Sequence, residues 1–269
     1  GGLFAPISRE GSLVLNNVLL SVACATVLVG TLYPLALEGI TGEKISVGPP
    51  FFNMTFIPLM LPLLFAMPFG PLLAWKRGDA RAVAQRLAFA GGLAVLVKIG
   101  VAALSGPGPW LAPLCAALGL FVLFGAITDL LSRARLGDVG RAEFLRRIIS
   151  LPRSAYGTAL AHAGIGIMVM GIVGTSAYQT EKIVALKPGE RAEVAGYDLL
   201  FKGITPTKGP NYSEQIAEFE VTRNGSPVTT LLPSKRLYNA PPQPTTEAGI
   251  YPAWTGDLYV ALGDEQPSG

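Results

Sequence analysis

The sequence predicts an all-α polytopic membrane bundle followed by a small antiparallel β domain. Three observations carry that class. Half of the 269 residues are hydrophobic and 14% are charged, with a mean hydropathy of +0.45, which excludes an ordinary soluble domain. Five apolar segments before residue 178 have the length that crosses a bilayer core of ~30 Å, which takes about 20 helical residues. From Tyr178 onward the pattern becomes short alternating runs between turn residues.

The spans are read as Leu13–Leu37, Phe52–Trp75, Leu87–Leu104, Trp110–Leu131 and Tyr156–Ala177. Together they give a transmembrane region over 1–177 and a second domain over 178–269. The second span carries Pro58, Pro62, Pro68 and Pro71; it must bend, and its freed carbonyls need partners on neighbouring helices. Gly106-Pro107-Gly108-Pro109 reads as a tight turn. Lys76, Arg77, Arg81 and Arg86 lie between spans two and three. Arg133, Arg135, Arg141, Arg146, Arg147 and Arg153 lie between four and five. The opposite loops are basic-poor, so the positive-inside rule puts the arginine-rich loops in the cytoplasm and residues after Tyr178 on the far side.

In the second domain, Ala217-Glu218-Phe219-Glu220-Val221 alternates, and Asn224-Gly225 is a hairpin signal of type I′. Further strand-like runs are Glu181–Leu186, Gly196–Ile204, Val228–Leu232 and Gly249–Leu262, with turns at Lys187-Pro188-Gly189 and in Pro241–Pro244. A barrel or sandwich of about five or six strands is expected. The small net charge of +3 gives no reason to expect nucleic acid. Cys24 and Cys115 both lie in apolar spans and read as small buried hydrophobes. The chain opens on Gly1-Gly2 and stops in a polar stretch, and it reads as a piece of a longer protein.

His162, the one histidine of the chain, sits inside the fifth span. An ionisable group at membrane depth is costly and marks a functional site. Haem-iron ligation and a proton path are the leading readings, and a hydrogen bond to a neighbouring helix is the structural alternative. At 100° per residue, Thr158, His162, Gly166, Val169 and Val173 share a face. Gly166, one turn beyond His162, leaves room for a flat macrocycle. Gly157, Gly164 and Gly171 form a nearly opposite stripe, expected to pack on the nearest helix. Lys98 is a second charge at membrane depth, read as snorkelling or as pairing with a propionate or buried carboxylate. Asp129 reads as an interfacial charge, and Asn16 and Asn17 as interhelical hydrogen-bonding groups. The sequence has no Cys-x-x-Cys-His haem attachment site, no second histidine, no paired-carboxylate constellation and no zinc spacing; a second axial ligand must come from outside the chain.

The chain resembles CcmF, the membrane haem lyase of cytochrome c maturation, within a haem-handling superfamily that includes CcmC and CcsA. The residues that carry the likeness are Gly1–Gly11, Asn16-Asn17, Gly30-Thr31-Leu32-Tyr33-Pro34, the loop Gly42–Asn53, Ala161-His162-Ala163-Gly164 and Gly256-Asp257-Leu258-Tyr259-Val260. The resemblance implies a multi-pass protein of the bacterial inner membrane with its β domain in the periplasm. It also implies attachment of haem, the substrate, to apocytochrome c. The partners implied are the holo-CcmE haem chaperone, CcmH and CcmI, with quinol as an electron source. A structural haem b would be held between two transmembrane histidines, the second matching His162. The family's tryptophan-rich segment, its periplasmic histidines and its first transmembrane histidine are not in this sequence, so no catalytic residue is assigned and the piece alone is expected to be inactive. Two alternatives stand beside this reading. One is the paralogous lyase of nitrite-reductase assembly; the other, from a different class, is a proton-coupled transporter using a His162–Lys98 pair.

Overall fold

The computed structural model describes residues 3–104, 111–254 and 256–264. It forms two compact units, Gly1–Gln179 and Thr180–Gly269. The expected Gly-Pro turn and Trp110 lie outside the described residues.

In the first unit, α1 runs Arg9–Thr41, further at both ends than the apolar run alone suggests. The Ser8 hydroxyl accepts the Gly11 amide at 3.0 Å as its N-cap, and Gly42 closes the helix in the left-handed region at φ 75°. Helix α2 covers Pro49–Ala66. Pro58 and Pro62 are tolerated within it, but the chain breaks before Pro68 and resumes as a single 3₁₀ turn at Gly70–Leu72. A seven-residue helix, α3 (Ala80–Arg86), and a longer one, α4 (Ala88–Leu104), follow. Helices α5 (Leu111–Arg133) and α7 (Arg153–Ala177) flank a nine-residue helix, α6 (Arg141–Ile149).

Among the described residues four helical segments are long and apolar enough to cross a membrane. The third expected span is different: α4 has 17 residues and follows α3 at a bend of 59°, so it counts as a fifth crossing only as part of a broken pair. The outer surfaces are apolar, with Val29, Leu35, Leu96 and Leu160 between 60% and 72% exposed, as lipid-facing surfaces must be.

Helices in lipid gain nothing from hiding apolar surface from each other, so close packing has to come from small residues. Helix α5 meets α7 backbone to backbone. A Cβ on Gly166 would lie 2.5 Å from the Gly119 carbonyl oxygen, and one on Gly119 would lie 2.8 Å from that of Gly166. Ala155, Ala159, Gly166 and Val173 are the buried residues of α7. The stripe of Gly157, Gly164 and Gly171 has no atom within 4 Å of its Cβ positions, which corrects the expected packing face. Both faces carry small residues every seven positions; the one that also holds Ala155 and Ala159 meets α5.

The second unit is built on a hairpin of two 12-residue strands, β2 (Tyr197–Lys208) and β3 (Tyr212–Arg223). Leu199 pairs with Val221 and Phe201 with Phe219, the latter stacked at 5.1 Å between ring centroids. Alternation places these side chains in one core with Tyr197, Ala217, Leu231 and Leu258. Strand β1 (Arg191–Val194) pairs with β2. Strand β4 (Ser226–Leu231) pairs with the second half of β3, and β5 (Ser234–Asn239) with its first half. Strand β6 (Pro242–Glu247) adds the edge, and β7 (Gly249–Tyr251) and β8 (Leu258–Val260) form a separate pair.

Asn224 and Gly225 have φ of 51° and 76°, the two positive values of a type I′ turn. Three expectations change. Glu181–Leu186 is not a strand, and Ile183 there is 89% exposed. Gly249–Leu262 is two short strands, β7 and β8, and not one run. Pro242 and Pro244 lie within β6, where an edge position spares proline a ladder donor.

Glu214 is 8% exposed and accepts from the Ser234 hydroxyl at 2.5 Å and Arg236 Nε at 2.7 Å. The Ser234 hydrogen bond first, and the Arg236 charge with it, hold its carboxyl below the ordinary carboxylate range. The group therefore stabilises the fold fully above the unfolded value of about 4.3 and loses that contribution as pH falls toward its lower folded value. Glu214→Gln should flatten the acid limb of the unfolding profile below about pH 4.3; an unchanged limb would contradict this. In the helical unit, Gly166→Leu should destabilise by about 1–3 kcal/mol through overpacking, while Gly164→Ala leaves the unfolding midpoint of the detergent-solubilised protein almost unmoved. Equal losses from the two would show that the α5–α7 crossing is not the tight contact.

Candidate functional site

Helix α7 starts at Arg153 behind Pro152, whose fixed φ suits a helix entry. The Tyr156 hydroxyl donates to the Ile148 carbonyl and ties this end to α6. His162 lies nine residues into α7, about 13 Å along its axis. Its angular position is 40° from Gly166, at the border of the face that packs on α5. The imidazole is therefore held between helices and half-buried, which corrects the expectation that it points away from the nearest helix.

It opens on a cavity of about 220 Å³ walled by α1, the end of α2 and α7. The polar wall is Arg9, Ser12 and Asn16 of α1 with Thr158 and His162 of α7. Leu63, Met67 and Pro71 supply the apolar wall from the broken second span. Three backbone hydrogen bonds tie the loop after this span to the start of α1. Ala5 N–H donates to the Lys76 carbonyl at 2.8 Å, Arg9 N–H to the Ala74 carbonyl at 3.0 Å, and Gly78 N–H to the Ile7 carbonyl at 2.7 Å. Arg9 also lays its guanidinium over the Trp75 ring at 5.0 Å.

Most of the cavity's polar groups are already engaged. Ser12 donates to the Arg9 carbonyl at 2.8 Å, Thr158 to the Ser154 carbonyl at 3.0 Å, and Asn16 to Asn17 at 3.3 Å. The asparagine pair is therefore local and not interhelical as expected. His162 has no hydrogen-bond partner among the described residues, which removes the structural alternative from those residues. Arg9 likewise has no carboxylate within ion-pair distance among them. The site thus presents one imidazole nitrogen pair and one cation beside an apolar wall. A haem fits this set in part. The imidazole can bind iron and the wall suits a macrocycle, but the space is below the ~300–1,000 Å³ of a full small-molecule site. These residues line one side of such a group and do not enclose it.

The other candidates fall elsewhere. Gly166 faces α5, and the space expected for a macrocycle holds the α5 backbone there; its part in the site is to set how close α7 sits. Lys98 is exposed on α4 and does not line the cavity, so the structure does not bring the His162–Lys98 pair together there. Cys24 is exposed and Cys115 half-buried, both as free thiols. No group of three or more His, Cys, Asp and Glu residues that could hold a metal ion occurs among the described residues. Arg9 was missed as a site residue; its signal was a lone cation beside the N-cap serine of the first span.

Asp129, read as an interfacial charge near the inner end of its span, is buried and paired. It is 3% exposed and accepts from Arg133 Nε at 2.9 and 3.0 Å. Removing one partner of a buried pair leaves an uncompensated charge. Arg133→Gln should therefore destabilise the protein toward the low end of ~3–5 kcal/mol, and Asp129→Asn in the same background should recover part of it. Thermal unfolding of the three variants checks this, and full additivity of the two substitutions would contradict the pairing.

With this geometry in place, likeness to known proteins gives the context. Residues 177–269 match the family model described as the CcmF C-terminal beta-sandwich. The chain is 54% identical over its whole length to the cytochrome c-type biogenesis protein CycK of Rhizobium meliloti, covering 40% of that protein. It is 38% identical over 99% of its length to the cytochrome c-type biogenesis protein CcmF of Pseudomonas aeruginosa, again covering 40%. A solved structure of "Cytochrome c Heme Lyase CcmF" superposes with a TM-score of 0.63 at 24% identity, over 93% of this chain and 39% of that one; at that identity it supports the fold alone. The chain spans about two fifths of the length of these relatives. A helical region with four or five membrane-length segments, an antiparallel β-sandwich after it, and sustained identity to CcmF and CycK proteins together make this chain similar, over its whole length, to about two fifths of a CcmF-type cytochrome c biogenesis protein.

Proposed function

We propose that the chain is part of a haem lyase that joins haem to apocytochrome c, and that His162 is one axial ligand of a haem b within the helical unit. The observation that carries the reading is an imidazole at membrane depth, without a hydrogen-bond partner among the described residues, lining a cavity between α1, the proline break and α7. Likeness to CcmF-type proteins supplies the reaction class.

A bound haem would supply one-electron redox chemistry to the assembly. The residues of this chain perform the surrounding work. Gly166 fixes the approach of α7 to α5, which holds the His162 ring at the cavity wall. The hydrogen bonds between residues 5–9 and 74–78 hold the end of the second span beside α1. Leu63, Met67 and Pro71 exclude water from that side. The second axial ligand lies outside this sequence, which holds no other histidine.

The arginine-rich loops define the cytoplasmic side in this proposal, and the β-sandwich then stands in the periplasm. There it would meet the apocytochrome or a partner subunit, with holo-CcmE, CcmH and CcmI as the proposed partners and quinol as the proposed reductant. Gly166 stays in the proposed site as a spacer between helices and not as a contact of the macrocycle. The sequence alternative of a proton-coupled transporter keeps no support from the cavity, since Lys98 is absent from it.

The test is an absorption spectrum of the purified full-length protein. His162→Ala should abolish the b-type haem spectrum while leaving the helical content unchanged. Normal haem content in that variant would overturn the assignment.

A further inference from the structure

A surface outside the His162 site has an unusual composition. Helix α6, Arg141–Ile149, sets Phe144, Leu145, Ile148 and Ile149 on one arc of its circumference, with Glu143, Arg146 and Arg147 opposite. Leu145 is 57% exposed and Ile149 79%, and Leu136 in the preceding turn is exposed too. Between Arg133 and Arg153 the chain holds six arginines against Asp138 and Glu143, a net charge of +4.

Not all of that charge is free. Arg133 serves the buried Asp129. Glu143 bonds Arg146 at 2.8 Å and Arg147 at 2.6 Å, and those two guanidinium groups hold its carboxyl down at about 2. Arg135, Arg141 and Arg153 are exposed and have no carboxylate partner among the described residues. The position of the helix is constrained as well. It joins α5 to α7, both long enough to cross a membrane, through short connections, and the Tyr156 hydroxyl holds the Ile148 carbonyl at the start of α7.

An apolar stripe with a cationic flank, tethered at the mouth of two membrane-length helices, matches a helix that lies in the plane of a lipid interface. From this juxtaposition we infer that α6, with Arg135, Arg141 and Arg153, is a docking surface for anionic phospholipid headgroups. Leu145 and Ile149 enter the acyl boundary, and the three unpaired guanidinium groups take phosphate oxygens in the paired geometry that arginine offers. With Arg133 neutralised by Asp129, the remaining net charge of +3, five arginines less Asp138 and Glu143, favours an anionic over a zwitterionic surface, by about fivefold for each arginine close to it. The seating is independent of the haem reading.

The test uses the full-length protein in lipid nanodiscs, in a cysteine-free background. A fluorescent label at Leu145→Cys or Ile149→Cys should be quenched by a nitroxide carried high on the lipid acyl chain, and the same label at Glu143→Cys much less. At low salt, adding phosphatidylglycerol to phosphatidylcholine should raise the unfolding midpoint. That gain should vanish at high salt and in the variant R135Q/R141Q/R153Q. Labels at 145 and 149 that escape quenching would overturn the proposal. So would quenching accompanied by the same midpoint in both lipids, which would leave an apolar anchor without headgroup recognition. The labelled proteins keep the wild-type arginines, so a misfolded triple variant does not shield the idea.

Discussion

The approach of Gly166 to Gly119 decides where the imidazole of His162 can go. Neither residue has a side chain, and a methyl group at either position would strike the opposing carbonyl. With α7 pressed on α5 at that point, the residues one turn earlier are fixed in direction, and His162 falls at the edge of the packed face. A second constraint acts from the other side. The loop after the second span is tied to residues 5–9 by three backbone hydrogen bonds, which sets the start of α1 beside the end of that span. The first constraint is steric and the second is made of backbone hydrogen bonds. Between them a half-buried imidazole is presented to a cavity, with the Asp129 charge as a neighbour and no hydrogen-bond partner among the described residues.

Much of the helical unit could be read from hydropathy, because length and apolarity alone define a membrane-crossing segment. The face that packs could not. Gly157, Gly164 and Gly171 recur every seven residues, and so do Ala159, Gly166 and Val173. Periodicity gives both stripes the same weight, and only the shape of α5, with its own Gly119, selects one. Asp129 and Arg133 failed for a related reason: a carboxylate near a helix end looks interfacial until the neighbouring helices cover it. Lys98 was legible as a charge at membrane depth but not as one facing away from the cavity, which depends on how α4 follows the bend from α3.

The β unit shows where alternation carries information and where it does not. Strands β2, β3 and β4 have one buried face and announce themselves by period two, and the Asn224-Gly225 turn has a backbone that few other pairs adopt. Strand β6, rich in proline and threonine, is an edge whose outer backbone faces no partner strand, so the rule against proline in strands does not apply. The run Glu181–Leu186 fails in the opposite direction, ending in four consecutive apolar residues but with no neighbouring strand to pair. The site itself was half legible: the histidine was evident from its rarity, while Arg9 and the proline break became part of it only through the fold.

The central claim is that the His162 ring binds iron directly and is not merely a structural neighbour of it. Exogenous imidazole distinguishes the two in the full-length protein carrying His162→Gly, because the small ligand can occupy the space that the side chain vacates. The account predicts that this variant lacks the b-type haem spectrum and regains it when imidazole is added. Haem loss that imidazole does not reverse, or a variant that keeps its haem without imidazole, would contradict it.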